Sequence, residues 1–312
     1  MKRQVGLDQI VNDRTSVVTV GTFDGVHVGH RTILAYLVRR ARDRGGSSVV
    51  LSFDPHPREV VTGEPMPLLT TIDERADAVE SIGIDRFVIV PFTRAFSRLP
   101  AEAFVEDILV RRIGLREIVI GYDHAFGHDR RGDAALLKEM GEEHAFTVDV
   151  IPPQVVAEHV VSSTEIRKLL ESEGDVVSAA GMLGRRYGLR GIVERGEGRG
   201  RTIGFPTANL AVEHPRKVIP ARGVYAVRVG IESAGDLGLA GMMNIGVRPT
   251  FGAGQRTLEV HLLEFEGSLY GEVLRIEFVA RMRDEQHFAS KDELVQQLSR
   301  DRSRCKQLLG EG

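Results

Sequence analysis

A short apolar run passes directly into a glycine-rich turn in the stretch Val17-Val18-Thr19-Val20-Gly21-Thr22-Phe23-Asp24-Gly25-Val26-His27-Val28-Gly29-His30. The apolar run predicts a buried strand, and the pattern that follows His30 predicts a helix. The glycines allow the backbone to approach a phosphate closely, and the helix aims its N-terminal amides at an anion. The stretch therefore predicts a strand–turn–helix unit with a phosphate-handling turn.

Further apolar runs, rich in Val and Ile, follow this unit and alternate with helical patterns near residues 30–44, 73–82, 100–112 and 133–145. This alternation predicts a parallel sheet with helices on both faces, in which ligands bind beyond the carboxyl ends of the strands. We therefore expect a doubly wound α/β domain over residues 1–180. Its predicted strands are Val17–Val20, Ser48–Phe53, Phe87–Pro91, Glu117–Gly121 and Thr147–Ile151.

The pattern changes after Leu183-Gly184-Arg185-Arg186-Tyr187. Before it, Ser162-Ser163-Thr164-Glu165-Ile166-Arg167 has capping-box spacing and opens a helix that Gly174 ends, and a short helix follows near residues 175–182. Short strands at modest spacing then predict a small antiparallel β-barrel with a terminal helix, Lys291–Leu309, over residues 181–312. The predicted strands of the barrel are Gly188–Glu194, Gly223–Gly230, Leu239–Asn244, Thr257–Phe265 and Val273–Ala280.

Length and composition narrow the class of protein. The 312 residues suit two domains of roughly 150 residues each. A net charge of -3 gives no electrostatic reason to expect nucleic acid, and no window approaches the ~18 apolar residues of a membrane span. Met1 to Thr15 lacks the apolar core of a secretory signal, and the single cysteine, Cys305, fits a reducing cytoplasm. We expect a cytoplasmic protein with small-molecule partners, and its oligomeric state stays open.

His27 and His30 form the pattern H-x-G-H at the start of the first helix. Two imidazoles there can donate hydrogen bonds to charge that develops on an α-phosphate or on leaving pyrophosphate, without a protein nucleophile. The alternative is a pair of histidines that bind a metal or cap the helix, although no third ligand lies at the usual spacing. Ser163, Thr164 and Arg167 would form an ordinary capped helix by themselves, and beside H-x-G-H they predict a triphosphate clamp.

A second glycine-rich segment leads into Phe205-Pro206-Thr207-Ala208-Asn209. The chain contains no G-x-x-x-x-G-K-[ST], so a kinase site here cannot use a Walker loop. Thr207 and Asn209 offer hard oxygen ligands for Mg²⁺, and Glu259 could take the proton of a substrate hydroxyl. The alternative is that the glycines form ordinary barrel turns and that Glu259 is a solvated strand residue.

The motifs of the first half carry a family resemblance. H-x-G-H with S-S-T-x-I-R is similar to the adenylyltransferase superfamily, and Gly21–His30, Ser52–Pro57 and Gly121–Gly127 resemble the FAD synthetase module of the bacterial bifunctional riboflavin kinase/FAD synthetases. Ser52 stands where that family usually has Thr, and His124 stands where Phe is common. The resemblance implies that His27 and His30 stabilise the transferring AMP. It further implies ATP contacts at Gly21, Phe23, Asp24, Gly29, Asp123, Ser163, Thr164 and Arg167, and flavin contacts at Asp54, Pro55 and His56.

The second half resembles the riboflavin kinase module of the same family. The matching segments are Leu183–Arg185, Gly200-Arg201, Gly204–Leu210, Gly223–Tyr225, Asn244–Gly246, Arg248-Pro249-Thr250-Phe251, Leu258–Phe265 and Arg283–Gln286. Arg186 replaces the usual proline at the entrance of the module. The resemblance implies that Glu259 is the base on the ribityl 5′-hydroxyl and that Thr207 and Asn209 bind the metal. It also implies kinase ATP contacts at Gly198, Gly200, Arg201, Thr207 and Asn209, and flavin-loop residues at Arg283 and Asp284.

The expected function is the synthesis of flavin cofactors in two steps, with Mg²⁺ and ATP and without a tightly bound prosthetic group. Riboflavin and ATP would give FMN in the barrel, and FMN with a second ATP would give FAD and pyrophosphate in the first domain. One rival is another H-x-G-H transferase, such as a cytidylyltransferase, whose barrel only senses flavin. A second rival is a flavin-binding storage or regulatory protein whose catalytic sites have decayed. The presence of His27, His30, Thr207, Asn209 and Glu259 argues against it.

Overall fold

The computed structural model describes residues 1–156, 159–196, 198–247 and 256–310. The chain divides into two compact units, Met1–Ser163 and Thr164–Gly312. The motif Arg248-Pro249-Thr250-Phe251 lies outside the described residues. The domain boundary near residue 180 stays a prediction.

The first unit is built on a six-stranded sheet with the strand order β1-β4-β3-β2-β5-β6. All neighbouring strands pair in parallel, which confirms the predicted sheet. The edge strand β1 was not predicted, because its sequence Lys-Arg-Gln-Val is polar and only one of its four residues is buried. The strands are β1 (Lys2–Val5), β2 (Ser16–Val20), β3 (Ser48–Asp54), β4 (Arg86–Pro91), β5 (Leu115–Gly121) and β6 (Thr147–Ile151).

Helices cover both faces of this sheet. Val17, Val50 and Phe87 belong to one buried cluster, whereas their chain neighbours, such as Val18 and Leu51, belong to another. Alternate strand residues therefore enter two separate cores, which confirms the doubly wound architecture. The helices are α1 (Val28–Asp43), α2 (Pro57–Thr62), α3 (Ile72–Glu80), α4 (Ala101–Ala103, continued by a π-helix over Phe104–Ile113) and α5 (Ala134–His144).

Two short strands and two short helices follow β6. The strands β7 (Val155–Val156) and β8 (His159–Val160) pair antiparallel. Helix α6 (Ser163–Lys168) continues as a π-helix, Leu169–Glu173, which ends at Gly174 in a left-handed conformation, as the sequence predicts. Helix α7 (Val176–Leu183) then begins at the cap Asp175, whose side chain accepts a hydrogen bond from the Ser178 amide.

The second unit contains a closed antiparallel barrel with the strand order β10-β13-β12-β11-β14-β9. The terminal helix α8 (Lys291–Leu309) has the predicted bounds, and its Cys305 and Leu309 pack with Ala226 and Met242 in one buried cluster. The barrel and helix confirm the predicted fold of this half. The strands are β9 (Gly188–Glu194), β10 (Ala208–Val212), β11 (Gly223–Ile231), β12 (Asp236–Val247), β13 (Arg256–Leu262) and β14 (Val273–Arg283).

Cys305 is buried, and its Sγ donates a hydrogen bond of 3.2 Å to the Gly241 carbonyl oxygen. Within the described ranges, none of the helices combines the length and the apolar character that a membrane crossing requires. The cytoplasmic location stays a prediction.

Candidate active sites

The two histidines of H-x-G-H meet at the start of α1. His27 caps the helix, because its Nδ1 accepts a hydrogen bond of 3.2 Å from the His30 amide. The two rings are stacked, with centroids 3.6 Å apart and planes inclined by 17°. Phe23 contacts the His30 ring edge-on at 5.0 Å. The turn therefore presents both imidazoles together at the carboxyl end of β2.

The electrostatics of this turn favour a neutral imidazole at His30. Burial lowers the pKa of His30 well below its usual value, and the charges of His27 and Arg75 lower this pKa further. His27 uses Nδ1 as an acceptor, so in its neutral form the ring proton sits on Nε2. Nε2 is then the nitrogen of His27 that can donate a hydrogen bond to a phosphate oxygen.

Other predicted residues of the first unit lie along the same edge of the sheet. Gly21 follows β2, Asp54 ends β3, and Asp123 is exposed in the turn after β5. These three strands are parallel neighbours, so their carboxyl ends meet at one edge. Pro55 follows Asp54 directly, and His56 caps α2 by accepting a hydrogen bond of 3.2 Å from the Arg58 amide.

The hydroxyl of Ser163 reaches the same turn. Its Oγ donates a hydrogen bond of 2.8 Å to the carbonyl oxygen of Asp24. The contact ties the first residue of α6 to the segment between β2 and α1. Thr164 is exposed on α6, Arg167 is buried on the same helix, and Gly29 lies in the first turn of α1.

A row of aromatic rings lies beside the predicted flavin residues and was missed by the sequence reasoning. Phe53 contacts Phe92 at 5.3 Å, Phe92 contacts Phe96 at 5.5 Å, and Phe104 contacts Phe126 at 5.7 Å. The chain positions are far apart, although Phe53, Phe92 and Phe126 all lie at or after the carboxyl end of a strand. His124 stacks on Phe126, with centroids 5.6 Å apart, so the residue that departs from the family pattern still contributes a stacked ring.

In the barrel, strand register brings the predicted base beside a predicted metal ligand. Glu259 pairs with Asn209 on one side and with Asn244 on the other. The flanking Leu258 and Val260 are buried, so Glu259 faces the outside of the barrel. Directly opposite residues have Cβ atoms about 5 Å apart. The three polar residues thus form one row, and the sequence reasoning quoted Asn244 only within a motif.

Gly196 and Gly200 approach the segment from Phe205 to Asn209 so closely that a side chain at either glycine would not fit. A Cβ atom at Gly196 would lie 2.0 Å from Asn209 Nδ2. A Cβ atom at Gly200 would lie 2.2 Å from the Phe205 carbonyl oxygen and 3.3 Å from Thr207 Oγ1. Thr207 lies immediately before β10 and Asn209 lies within it. The glycine-rich segment is therefore folded against both predicted metal ligands.

His261 fixes the segment that carries Thr207, and it too was not predicted as a site residue. Its Nδ1 donates to the Pro206 carbonyl oxygen at 2.7 Å, and its ring contacts Phe205 at 5.3 Å. Burial lowers the pKa of His261, and the charge of Arg302 lowers it slightly, against the opposite effect of the hydrogen bond to Pro206. His261 stands two residues after Glu259 on β13, so both point outward from the barrel.

The remaining predicted kinase residues lie at three places. Gly198 and Arg201 are exposed in the turn before β10. Arg283 ends β14, where its guanidinium forms a two-pronged ion pair with the nearly buried Asp301 of α8, at 2.7 Å and 3.1 Å. Asp284 is exposed and accepts a hydrogen bond of 2.7 Å from Arg281.

Comparison with known proteins agrees with both halves of this description. The FAD synthetase family model matches residues 9–165, and the riboflavin kinase family model matches residues 183–309. The bifunctional riboflavin kinase/FMN adenylyltransferase of Escherichia coli K12 is 38% identical over 94% of this chain and 93% of its own. The chain belongs to the bifunctional riboflavin kinase/FMN adenylyltransferase family. It is an enzyme that makes FMN from riboflavin and FAD from FMN, with ATP as co-substrate in both reactions.

Two further relatives cover almost the whole chain. The Pseudomonas fluorescens member of this family is 39% identical over 92% of this chain and 91% of its own. A crystal structure described as a macrolide-efflux protein from Streptococcus pneumoniae has a TM-score of 0.87 at 29% identity, with 98% of this chain and 99% of that chain covered. Both similarities extend across the two units in one continuous match.

Proposed function

We propose that each activity of this enzyme has its own site: adenylyl transfer at the stacked pair His27 and His30, and riboflavin phosphorylation at the row of Asn209, Glu259 and Asn244. The observation that carries the proposal is the stacking of two imidazoles at a helix start, 3.6 Å between centroids. The two sites use different chemistry, so a substitution in one should spare the other.

At the first site, a phosphate oxygen of FMN attacks the α-phosphorus of ATP, the bond from the α-phosphorus to the bridging oxygen breaks, and pyrophosphate leaves. The FMN phosphate is already ionised near neutral pH, so no general base is needed. Neutral imidazoles of His27 and His30 donate hydrogen bonds to charge that develops on the oxygens. Gly21 and Gly29 allow close approach of the phosphates. Ser163, whose hydroxyl reaches this turn, would contact the triphosphate, and the contacts of Thr164 and Arg167 stay predictions from the sequence.

The aromatic row supplies a surface for the planar flavin ring. Phe53 adjoins Asp54, and Phe126 with His124 comes from the segment that also contains Asp123. Aromatic faces stack on flat heterocycles, and a row of rings about 5–6 Å apart can accommodate one at its edge. The flavin contacts predicted at Asp54, Pro55 and His56 are continuous with this row.

At the second site, the 5′-hydroxyl oxygen of riboflavin attacks the γ-phosphorus of ATP, Glu259 takes the hydroxyl proton, and ADP leaves. Thr207 and Asn209 offer a hydroxyl and an amide oxygen, both hard ligands, and Gly196 and Gly200 allow the glycine-rich segment to lie against these two residues. These residues fit a magnesium ion that takes its other ligands from ATP. Bound Mg²⁺ would neutralise charge on the transferring phosphoryl group.

Among the described residues, no cluster of three or more His, Cys, Asp or Glu side chains could hold a metal ion alone. The net charge of -3 favours small-molecule partners over nucleic acid, and the single thiol fits a cytoplasmic enzyme. Gly198 and Arg201 lie in the turn that would close over the phosphates of ATP.

Two alanine variants test this division of labour. His30→Ala should lower FAD synthesis from FMN by roughly 10²–10³, as removal of an oxyanion donor does, and should leave FMN formation unchanged. Glu259→Ala should abolish most FMN formation and spare FAD synthesis from added FMN. Chromatographic separation of riboflavin, FMN and FAD over time measures both. Equal loss of the two activities in either variant, or normal phosphorylation by Glu259→Ala, would contradict the assignments.

A further inference from the structure

A carboxylate is buried beneath the H-x-G-H turn. Asp24 has no exposed surface. Its two oxygens accept hydrogen bonds from the Leu69 amide at 3.0 Å, the Thr70 amide at 2.9 Å and the Thr70 hydroxyl at 3.0 Å. Burial of a carboxylate is costly unless hydrogen bonds and a nearby cation compensate for the lost water. Both carboxylate oxygens of Asp24 are therefore bonded to protein groups. A structural role is the alternative to the ATP contact that the family resemblance implies.

Thr70 links this carboxylate to the next residue of the turn. Its hydroxyl donates to Asp24 Oδ1 and accepts a hydrogen bond of 2.9 Å from the Gly25 amide. The carbonyl oxygen of Asp24 in turn accepts the hydrogen bond from Ser163. Two consecutive residues of the turn are thus fixed to one threonine, and the start of α6 is fixed to them.

Arg75 supplies the compensating charge. The side chain is 3% exposed, and its Nη2 lies 3.9 Å from Asp24 Oδ1. Its Nη1 donates to Ser52 Oγ at 3.2 Å, and Ser52 Oγ donates to the Thr22 carbonyl oxygen at 3.1 Å. Arg75 therefore touches the turn twice, directly at Asp24 and through Ser52 at Thr22. The serine that replaces the usual threonine keeps the hydroxyl that this link needs.

The turn between β2 and α1 contains two residues in an unfavourable backbone conformation. Phe23 and Val26 have φ angles of 49° and 41°, in the left-handed region that bulky and β-branched side chains rarely adopt. Both side chains are buried, and they flank Asp24 and Gly25. Such conformations persist only where the surroundings determine them, and they cluster at functional sites. The same conformation places the edge of Phe23 against the ring of His30.

We propose that Asp24 and Arg75 are positioning residues for adenylyl transfer: the buried pair holds the Gly21–His30 turn in the left-handed conformation that stacks His27 on His30. The inference rests on the proposed role of the two histidines. Asp24 acts from beneath the turn through the backbone of its neighbours, and Arg75 acts through Asp24 and Ser52. Neither side chain contacts the reacting phosphates.

Three variants test this role. Asp24→Asn places an amide donor against the Leu69 and Thr70 donors, and Arg75→Met removes the guanidinium group from beside the buried carboxylate. Both should lower kcat for FAD synthesis by about 10²-fold, as a misplacement of about 1 Å does, with KM for ATP and FMN changed by less than about threefold. Arg75→Lys keeps the charge and should recover part of the lost kcat. Riboflavin phosphorylation, measured on the same proteins, should be unchanged.

A matched control separates positioning from stability. Glu117 is also fully buried in this unit and pairs with Arg40 at 2.6 Å, near the amino end of β5 and away from the turn. Glu117→Gln should lower the melting temperature and leave kcat for FAD synthesis unchanged. Nuclear Overhauser contacts between the His27 and His30 rings should be lost in Asp24→Asn and kept in Glu117→Gln.

The kcat values of these variants decide whether Asp24 and Arg75 position the turn. If Asp24→Asn folds poorly, Thr70→Val removes only the hydroxyl relay and should still lower kcat severalfold. Unchanged kcat in both Arg75→Met and Thr70→Val would overturn the proposal, as would an equal loss of kcat in Glu117→Gln. A separate result, normal FAD synthesis by His30→Ala, would instead overturn the role of the histidines on which the inference rests.

Discussion

The neutral imidazole of His30 couples the first site to pH. Burial lowers its pKa in the folded protein below the usual value of 6.5. A histidine with a lowered folded pKa stabilises the folded state above its unfolded pKa, and this contribution is lost as pH falls, because only the unfolded chain then takes up the proton. Acid should therefore destabilise the first unit partly through His30.

The comparison of wild type with His30→Gln tests this at the residue scale. Glutamine cannot take up the proton, so the melting temperature of the wild type should fall more steeply than that of the variant between about pH 7.5 and about pH 5.5. Thermal unfolding at a series of pH values measures the difference, from which the contributions of the other histidines cancel. A difference that is constant with pH, or that moves in favour of the wild type in acid, contradicts the lowered pKa.

The positions of the candidate site residues were easier to predict from the sequence than the contacts around them. His27 and His30 follow from their spacing at a strand end. The hydrogen bonds of Asp24 and His261 could not be predicted, because their partners are distant in sequence: Thr70 lies 46 residues after Asp24, and Pro206 lies 55 residues before His261. The sequence alone does not distinguish a buried aspartate from an exposed one. The partners of each carboxylate become known only from the fold.

At the scale of elements, the ion pair between Arg283 and Asp301 joins β14 to α8. Gln297 also donates to Asp301 at 2.9 Å, and Arg283 Nη1 donates to the Asp284 carbonyl oxygen at 2.8 Å. The segment that follows Arg283 is thus fixed at its first residue, and the cap Ser290 fixes its end at the start of α8. The predicted flavin loop is held between two anchored points.

Asp301→Asn should loosen this loop and the terminal helix together. Loss of one partner leaves Arg283 nearly buried without its counter-charge, so the variant should lose on the order of 3 kcal/mol of stability. KM for riboflavin should rise by about tenfold in the kinase assay while FAD synthesis from FMN is unchanged. Denaturation curves and steady-state kinetics measure the two effects.

The exposed pair of Arg186 and Glu277, 3.6 Å apart, provides the control. Arg186→Pro restores the usual family residue and should change stability by less than about 1 kcal/mol, because exposed ion pairs contribute little. A loss of stability in Arg186→Pro as large as that in Asp301→Asn, or an unchanged KM for riboflavin in Asp301→Asn, would contradict the anchoring role.

Element bounds were predictable where burial gives a clear pattern. The inner strands β2, β3 and β4 are buried on both faces along most of their length, and they begin within a residue of the predicted positions. The polar edge strand β1 and the six-residue helix α2 were missed, since neither is long or apolar enough to show a period. Strand register was not predictable, so the row of Asn209, Glu259 and Asn244 emerged only from the structure.

At the scale of the whole molecule, two units with separate cores carry two consecutive reactions. The parallel sheet buries its apolar residues under helices, whereas the barrel closes around its own interior and is covered by α8. The product of the kinase reaction, FMN, is the substrate of the adenylyl transfer. Each site should therefore work when the other is inactive.

A mixing experiment tests this central claim most directly. His30→Ala alone should convert riboflavin to FMN and stop there, and Glu259→Ala alone should leave riboflavin unchanged. A mixture of the two purified variants with riboflavin, ATP and Mg²⁺ should form FMN first and then FAD, as followed by chromatography. If the mixture forms no FAD although Glu259→Ala still adenylylates added FMN and His30→Ala still forms FMN, the account of two independent sites is wrong.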